Sequence, residues 1–228
     1  MNLQGKVAMI TGAAGGLGRV VAGTFAQAGA SLVLVDVTEA ALKSAYPGSI
    51  GKLVAVNLLD ATAVKAALAD LARVDILCNI AGGFRMGPAV HETPADLWKS
   101  MLDINAGTLL NTVQAVVPKM LANGGGKLVN VGAMGGTGGR PNMGAYSAAK
   151  SAVIRLTESM AAELRDKNIN VNCVLPSIID TPANRADMPQ ADPKKWVAPA
   201  DLASVIVFLS SDASRAIHGA AIPVVGLS

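Results

Sequence analysis

Tyr146 and Lys150, four residues apart, are the side chains whose types and spacing are best suited to chemistry. Residues at that spacing project from the same face of an α-helix. A free tyrosine has a pKa of about 10, and a nearby ammonium group lowers it because the charge stabilises the phenolate. The pair is therefore predicted to exchange a proton with a bound molecule near neutral pH. The alternative is a half-buried tyrosine with the lysine stem packed against it.

A glycine-rich segment over residues 11–18 reads Thr-Gly-Ala-Ala-Gly-Gly-Leu-Gly and lies between a β-branched run and a helix-like stretch. Such turns bind phosphate groups, because glycine lets the backbone approach the ligand and the helix N-terminus faces the anion. Gly12 is assigned to the tight turn, Gly16 to the close approach and Gly18 to packing of the helix on the sheet. The residues predicted to contact a nucleotide here are Gly12, Ala14, Gly16, Leu17 and Gly18.

Asp36 ends the second apolar run, eighteen residues after Gly18. A carboxylate at this place accepts hydrogen bonds from the adenosine ribose hydroxyls and repels a 2′-phosphate, which favours NAD over NADP. The sequence has no Lys or Arg between Gly12 and Gly18 or directly after Asp36, which supports the same cofactor. The alternative role for Asp36 is a cap for a helix that begins near Thr38.

The elements that must position these residues are short apolar runs alternating with helix-like stretches. Strands are predicted over 6–10, 31–35, 52–56, 74–78, 127–131, 169–175 and 220–225, and helices over 17–28, 61–71, 94–120, 145–165 and 199–209. Because the strands are continuously apolar, both faces of the sheet must be covered. The pattern predicts an α/β, doubly wound Rossmann fold with a seven-stranded parallel sheet in a single domain, 1–228. The non-periodic insert at 177–197 is predicted to be a lid over the substrate.

Composition narrows the class of protein further. The chain has 228 residues, of which 51% are hydrophobic and 15% charged, and its formal net charge is only +3. A nucleic-acid partner is therefore disfavoured, and the apolar runs are too short to span a membrane. Cys78 and Cys173 lie in apolar runs as expected for buried free thiols, His91 and His218 are isolated so that no metal site is expected, and the protein is predicted to be cytoplasmic.

Four motifs in this order resemble the short-chain dehydrogenase/reductase family: the glycine segment 11–18, the segment 79–82 (Asn-Ile-Ala-Gly), Asn105, and the Tyr146–Lys150 pair in Tyr-Ser-Ala-Ala-Lys. The resemblance covers essentially the whole chain. It implies that Lys150 also binds the nicotinamide ribose and that Asn105 holds a water that relays protons to it. It also implies a homodimer or homotetramer acting on a small-molecule substrate.

The resemblance implies further contacts to NAD outside the glycine segment. Thr181 is expected near the cofactor carboxamide, and Asn57 stands where the family has an adenine-contacting aspartate. The expected cofactor contacts are Asp36, Val37, Asn57, Leu58, Asn79, Ala81, Gly82, Tyr146, Lys150, Pro176, Ile179 and Thr181.

The family's serine, thirteen residues before the tyrosine, is Ala133 in this chain. That serine holds the substrate carbonyl, and losing such a donor costs roughly 3 to 4 kcal/mol, about a hundredfold to a thousandfold in rate. Three alternatives are open. A hydroxyl of Thr137 or Ser147 substitutes for it, the substrate is easy enough to reduce without it, or the activity is vestigial.

The insert at 177–197 contains the pattern D-T-P-x-N-R-x-x-M-P-x-A-D-x-x-x-W, which is similar to the loop of dihydropteridine reductase, a divergent member of the same family. That enzyme also has alanine in place of the serine and uses NADH on a conjugated pterin. Arg185 is expected to pair with an acidic substrate or with Asp180 or Asp187. The residues expected to line an apolar substrate pocket are Phe84, Met86, Met143, Ile178 and Met188, and the substrate contacts are Ala133, Thr137, Met143, Ser177 and Met188.

These observations together predict an NAD(H)-dependent oxidoreductase that transfers hydride between nicotinamide and a small carbonyl, alcohol or conjugated substrate. Tyr146 is its general acid/base, and Lys150 and Asn105 complete the catalytic set. Two alternatives are kept: an enzyme like dihydropteridine reductase, and a catalytically impaired nucleotide-binding regulator that lost its serine to Ala133.

Overall fold

Parallel β-strands form the centre of the fold. A computed structural model describes residues 1–48 and 50–228, and over these residues it contains one seven-stranded sheet in the order β3-β2-β1-β4-β5-β6-β7. All neighbouring strands are parallel. The strands are β1 (Val7–Thr11), β2 (Ser31–Asp36), β3 (Lys52–Ala55), β4 (Ile76–Asn79), β5 (Gly126–Val131), β6 (Ile169–Pro176) and β7 (Ala221–Val224).

Helices cover both faces of this sheet, so the predicted doubly wound fold is confirmed. They are α1 (Gly16–Gln27), α2 (Glu39–Ala45), α3 (Ala61–Ala67), α4 (Ala95–Leu102), α5 (Thr108–Ala122), α6 (Gly144–Leu164), α7 (Pro182–Asp187) and α8 (Pro199–Ser210). Successive side chains of a strand point to opposite faces: Met9 packs in one buried cluster, whereas Ala8 and Ile10 pack in the other. This explains why the strands are apolar without alternation.

The strand order reverses at β1, which pairs with β2 on one side and with β4 on the other. In sheets of this kind ligands bind at the carboxyl ends of the strands beside that reversal. The Thr11 hydroxyl lies there and accepts hydrogen bonds from the backbone N–H groups of Ile80 and Ala81, at 3.0 and 3.1 Å. The glycine segment and the loop after β4 are thereby joined at the predicted site.

The predicted helix over 94–120 is wrong as a single α-helix. It is divided into α4 and α5 by a π-helical segment, Asp103–Gly107, that contains Asn105. Thr108, the first residue after this segment, donates from its hydroxyl to the Ile104 carbonyl within it at 2.8 Å. Such π segments are rare, occur frequently at functional sites and leave no mark in hydrophobic periodicity.

The insert at 177–197 is also more regular than predicted, because it contains α7. Thr181 caps this helix by accepting a hydrogen bond from the Asn184 backbone N–H at 3.2 Å, and Pro182 occupies the first helical position, where its missing N–H costs nothing. Helix α2 entered the sequence prediction only through the alternative role of Asp36, as a helix that begins near Thr38. Both helices are too short for an apolar period to reveal them.

A buried chain of polar side chains positions α6 on the sheet. The Asn79 amide donates to Asn130 Oδ1 at 2.9 Å, and the Asn130 amide donates to Thr157 Oγ1 at 2.9 Å. Thr157 in turn donates to the Val153 carbonyl at 2.8 Å. Because unpaired polar groups are costly inside a protein, this chain fixes β4, β5 and α6 relative to one another. Helix α6 carries Tyr146 and Lys150.

Candidate active site

The glycine segment forms a turn that only glycine can make. Gly12 has φ +63°, and a Cβ atom on Gly18 would lie 2.1 Å from the Gly12 carbonyl oxygen. Helix α1 follows, and its N-cap residue is Gly15, which has no side chain to occupy the N–H groups of the first turn. These groups and the positive end of the helix suit a pyrophosphate, so the turn fits a dinucleotide cofactor.

Asp36 holds this turn in place. Its two carboxylate oxygens accept hydrogen bonds from the backbone N–H groups of Ala14 and Val37, both at 2.8 Å. The alternative role as a helix cap is wrong, because α2 is capped by Thr38, whose hydroxyl accepts from the Ala41 N–H at 3.2 Å. The carboxylate lies at the carboxyl end of β2, where the sequence prediction needs it.

Two residues of this region were missed by sequence reasoning. Arg19 donates from Nε to the Ala14 carbonyl at 2.8 Å, and the Tyr46 hydroxyl donates to the Ala13 carbonyl at 2.5 Å. Burial raises the pKa of Tyr46 to about 12, so the phenol remains a donor. Arg19 is exposed and follows Gly18 directly, so it lies one position beyond the segment that was expected to be free of cations.

The remaining residues expected around the adenosine lie at the ends of β2 and β3. Val37 is 62% exposed and presents an apolar surface there. The side-chain Oδ1 of Asn57 accepts a hydrogen bond from the Leu59 backbone N–H at 3.0 Å. The Leu58 backbone carbonyl accepts one from the Asn111 side-chain amide at 2.9 Å. Asn57 therefore shapes a turn, and Leu58 is buried.

Asn79, expected to contact the cofactor, has its side chain inside the sheet instead. Only 5% of the residue is exposed, and its amide is bonded to Asn130. Its Oδ1 atom has no hydrogen-bond partner among the described residues. The neighbouring Ala81 and Gly82 remain at the edge of the site, so this motif contributes backbone rather than the asparagine side chain.

Asn105 and Lys150 converge on Gly82. A Cβ atom on Gly82 would lie 2.8 Å from Asn105 Oδ1 and 3.3 Å from Lys150 Nζ. Asn105 is 2% exposed and donates to the carbonyls of Gly83 and Met101, at 2.9 and 3.0 Å. Lys150 is buried and donates to the Val131 carbonyl at 2.9 Å. Asn105 and Lys150, two of the three predicted catalytic residues, therefore both lie beside Gly82.

Burial controls the protonation of the predicted catalytic pair. It lowers the pKa of Lys150 to about 8, against a smaller opposing effect of Cys173, and it raises the pKa of Tyr146 to about 12. The expectation that Lys150 lowers the pKa of the phenol is therefore wrong for this structure. The physical reason is that the ammonium group is directed to Val131 and both groups are removed from water.

Tyr146 lies between apolar and small residues. Its ring meets that of Phe84 edge-on, with centroids 4.9 Å apart and planes at 90°. A Cβ atom on Gly135 would lie 3.3 Å from Tyr146 Cε1 and 3.5 Å from Met143 Cε. Phe84 and Met143, both predicted for the substrate pocket, are thus beside the tyrosine. Ala133 is buried at the end of β5.

The two hydroxyls expected to replace the missing serine point elsewhere. Thr137 donates to the Met134 carbonyl at 2.7 Å and lines a separate cavity with Ser151 and Arg155, beyond Lys150 along α6. Ser147 follows Tyr146 directly, so its side chain leaves the helix about 100° away; its hydroxyl is buried without a partner among the described residues. Thr137 is therefore wrong as a substitute, and the helix directs Ser147 away from Tyr146.

The predicted lid, residues 177–197, lies against the glycine segment. A Cβ atom on Gly16 would lie 3.2 Å from Thr181 Cβ. Arg185 forms two hydrogen bonds to Asp180, at 2.6 and 2.8 Å, so it pairs within the lid and not with Asp187. Ile179 forms a β-bridge to Val197, which anchors the start of the lid.

Other lid and strand-end residues have structural contacts. Ser177 was expected to bind substrate. Its hydroxyl instead donates to the Val225 carbonyl and is hydrogen-bonded to the Ser228 hydroxyl, both at 2.8 Å. Pro176 is buried and pairs with β7, and Met188 is half-buried at the end of α7. Ser177 is therefore wrong as a direct substrate contact.

The site holds no grouping of metal ligands. Within residues 1–48 and 50–228, no cluster of three or more His, Cys, Asp or Glu side chains is arranged to hold a metal ion. In the same part of the chain, helices are too short or too polar to cross a lipid bilayer.

The fold and the site together define a dinucleotide-binding oxidoreductase. The model of the short chain dehydrogenase family matches residues 6–192. The chain therefore belongs to the short-chain dehydrogenase/reductase family, whose members bind a nicotinamide cofactor.

Named relatives include reductases and dehydrogenases. The chain is 33% identical over 244 residues to 3-oxoacyl-[acyl-carrier-protein] reductase of Thermotoga maritima, covering 99% of this chain and 98% of the relative. Carveol dehydrogenase of Mycobacterium avium, solved in complex with NAD, superposes with TM-score 0.89 at 31% identity, covering 99% and 98%. A short chain dehydrogenase of Escherichia coli CFT073, solved with NADPH, gives TM-score 0.90 at 26% identity, covering 97% of each chain.

Burial of Lys150 predicts a pH-dependent stability difference. The pKa of Lys150 is about 8 in the folded chain, whereas the ordinary pKa of a lysine is 10.5. Between these two pH values the unfolded chain binds a proton at Lys150 that the folded chain has released. Raising the pH through this window therefore stabilises the wild type. Relative to a Lys150→Met variant, the wild-type free energy of unfolding should rise between pH 8 and 10.5 in urea titrations.

The exposed Lys65 on α3 supplies the control. A Lys65→Met variant should keep a constant difference from wild type across the same window. A difference between wild type and Lys150→Met that stays flat from pH 7 to 10.5 would show that burial does not shift Lys150.

Proposed function

We propose that this protein is an NAD(H)-dependent oxidoreductase that transfers hydride between nicotinamide and a small carbonyl or alcohol, with Tyr146 as general acid/base. The observation that carries the proposal is the convergence of Asn105 and Lys150 on Gly82, with Lys150 on the same helix as Tyr146 and next to a dinucleotide turn. A protein that only bound a nucleotide would have no use for a buried ammonium group, which is costly to desolvate.

The cofactor would be held by the glycine turn, Asp36 and the residues at the ends of the strands. When bound, it supplies or accepts the hydride. Tyr146, whose pKa is raised to about 12, holds its proton at neutral pH and can donate it from the phenol oxygen to a carbonyl oxygen being reduced. Lys150, with a pKa of about 8, can release and regain a proton near neutral pH.

Asn105 supports this proton path by its position. Its amide donates to two backbone carbonyls and its Oδ1 accepts from the Gly83 N–H at 3.2 Å, so Asn105 Oδ1 and Lys150 Nζ both lie beside Gly82. A water bound between these two atoms would connect the lysine to solvent. The rigid backbone contacts of Asn105 keep that geometry without a cost at each turnover.

The choice of NAD rests on Asp36, because a carboxylate beside the ribose hydroxyls disfavours a 2′-phosphate. Arg19 is the opposing feature, since its guanidinium group lies at the same turn. The relatives include proteins solved with NAD and with NADPH, so family likeness does not decide the question. One Asp36 oxygen accepts the Ala14 N–H of the turn and the other accepts the Val37 N–H, and these bonds hold the carboxylate beside the turn, where we propose that the ribose binds.

Ala133 bears on the substrate. With the usual hydroxyl absent and Thr137 turned away, Tyr146 is left as the donor to the substrate oxygen, which suits a readily reduced substrate. The named relatives give no support to an enzyme like dihydropteridine reductase or to an impaired regulator, and both are outcomes of the experiments below.

The protein is also proposed to act as a cytoplasmic homodimer or homotetramer. The exposed apolar side chains of Trp98, Ile104 and Leu110, near α4 and α5, support assembly.

Tyr146→Phe should reduce kcat by about a hundredfold to ten-thousandfold while leaving NADH binding nearly unchanged, because only the phenolic proton is removed. NADH oxidation with a panel of ketones and pterins measures turnover, and fluorescence titration measures binding. Comparable activity in this variant would remove Tyr146 from the reaction.

Asp36→Ala should relax the preference for NAD, since it removes both the ribose acceptor and the charge that repels a 2′-phosphate. Asp36→Asn keeps one acceptor for the turn and serves as the matched variant. The ratio of kcat/KM with NADH to that with NADPH should fall in both. A wild type that already prefers NADPH would overturn the choice of cofactor.

Ala133→Ser restores the missing donor and tests why it is absent. If the protein is a reductase of simple ketones impaired by the alanine, kcat/KM on those ketones should rise about a hundredfold. We expect a small gain, because the natural substrate does not need the hydroxyl. A large gain on simple ketones would contradict this and indicate an impaired enzyme.

A further inference from the structure

Two exposed arginines lie on the segments that flank Tyr146. Arg85 follows Phe84, whose ring contacts the tyrosine, and Arg140 precedes the start of α6. Neither arginine forms an ion pair with any of the described residues. The segments 80–90 and 133–145 contain no Asp or Glu in the sequence. Within these two segments, no carboxylate neutralises the charges of the two arginines.

The two segments are held together by direct contacts. The Gly87 backbone N–H donates to the Asn142 carbonyl at 2.8 Å. A Cβ atom on Gly144 would lie 2.8 Å from Val90 Cγ2, so the backbones also approach each other further along. With the ring contact between Phe84 and Tyr146, these contacts place Arg85 and Arg140 on neighbouring segments beside the tyrosine.

Arg140 is the first residue of a tight turn that precedes α6. Residues 140–143 form a turn in which the Met143 N–H donates to the Arg140 carbonyl at 3.2 Å. Pro141 and Asn142 occupy the central positions, and Asn142 has φ +61°, as a type II turn requires at its third residue. A proline and an asparagine suit these positions, so the turn sets the backbone of Arg140 four residues before the start of α6.

The surface between the arginines and the tyrosine is apolar. Phe84 and Met86 are 51% and 62% exposed on either side of Arg85, and Met143 lies next to Tyr146. A molecule bound here would meet apolar side chains along its body and a guanidinium group at its end. Arginine binds carboxylates through paired, charge-assisted hydrogen bonds.

We propose that the substrate is a carboxylic acid with a short apolar body, whose carboxylate binds Arg85 and Arg140 while its carbonyl or hydroxyl group faces Tyr146. This inference rests on the proposed function, because it names the class of molecule reduced or oxidised at that site. It also bears on Ala133: an anchored carboxylate orients the reacting oxygen at Tyr146, so orientation does not depend on a serine hydroxyl.

The test compares oxo acids with their uncharged amides, which have nearly the same shape. The probes are 2-oxopentanoate, 4-oxopentanoate and 5-oxohexanoate, each with its amide, measured for kcat/KM with NADH. The wild type should prefer at least one acid over its amide by about tenfold to a hundredfold, the contribution expected of hydrogen bonds to a charged group. The preference should weaken as salt concentration rises.

Arg85→Gln and Arg140→Gln should each raise KM for the preferred acid and leave the amide nearly unchanged, and the double variant should lose the preference. Arg165→Gln is the matched control, because Arg165 is an exposed arginine at the far end of α6 and has the same charge. It should behave as wild type. Variants that weaken acid and amide equally, or a control that loses the preference too, would overturn the proposal.

Failure of the proposed function gives a different result. If neutral ketones are reduced with dependence on Tyr146 but acids are not preferred, only the inference about the carboxylate is wrong. If no probe is reduced, calorimetric titration of the acids into the NADH-loaded protein decides. Binding of an acid that is lost in the double variant supports the anion site alone, and absence of binding overturns it.

Discussion

Lys150 holds its ammonium group against the Val131 carbonyl, away from bulk water, and several other features follow from this interaction. A buried charge is tolerated only when it is bonded and closely surrounded. Helix α6 must therefore lie directly on the end of β5, where a Cβ atom on Gly136 would be 2.8 Å from the Lys150 carbonyl carbon. Gly82 must also lack a side chain, or it would displace the lysine and Asn105. Small residues thus allow the charge to be buried.

The same burial separates the two titrating groups of the site. Tyr146 is driven towards its neutral form and Lys150 towards its uncharged form, so the tyrosine is a stable proton donor and the lysine titrates close to neutral pH. Pairs of groups whose pKa values are moved by their surroundings are typical of acid and base roles. Ala133 adds no further donor at this place. In our proposal the chemistry therefore depends on the phenol of Tyr146 and on how Arg85 and Arg140 orient the substrate.

Sequence reasoning identified the sheet, because continuous apolar runs of strand length, alternating with helix-like stretches, are typical of a parallel sheet covered on both faces. It also identified the glycine turn, since Gly12 and Gly18 are required by local sterics. It did not reveal the π segment at Asn105, where side-chain hydrogen bonds to the backbone accompany a change of helix type that hydrophobic periodicity does not mark. Nor did it reveal that Thr137 points away from the site, or that Thr181 touches Gly16 across most of the chain length. The direction of a side chain and its contacts with residues distant in sequence are set by packing, which a single sequence does not display.

The central claim is that this chain transfers hydride between nicotinamide and a substrate whose oxygen exchanges a proton with Tyr146, without the usual serine. The most direct measurement follows deuterium from NADH labelled at both C4 positions into the product of a reduced carbonyl compound, with the Tyr146→Phe variant alongside. Deuterium should appear at the carbinol carbon in the wild type, in step with NADH oxidation, and be almost absent in the variant. Binding of labelled NADH with no deuterium in any product would contradict the claim and leave a nucleotide-binding protein without catalysis.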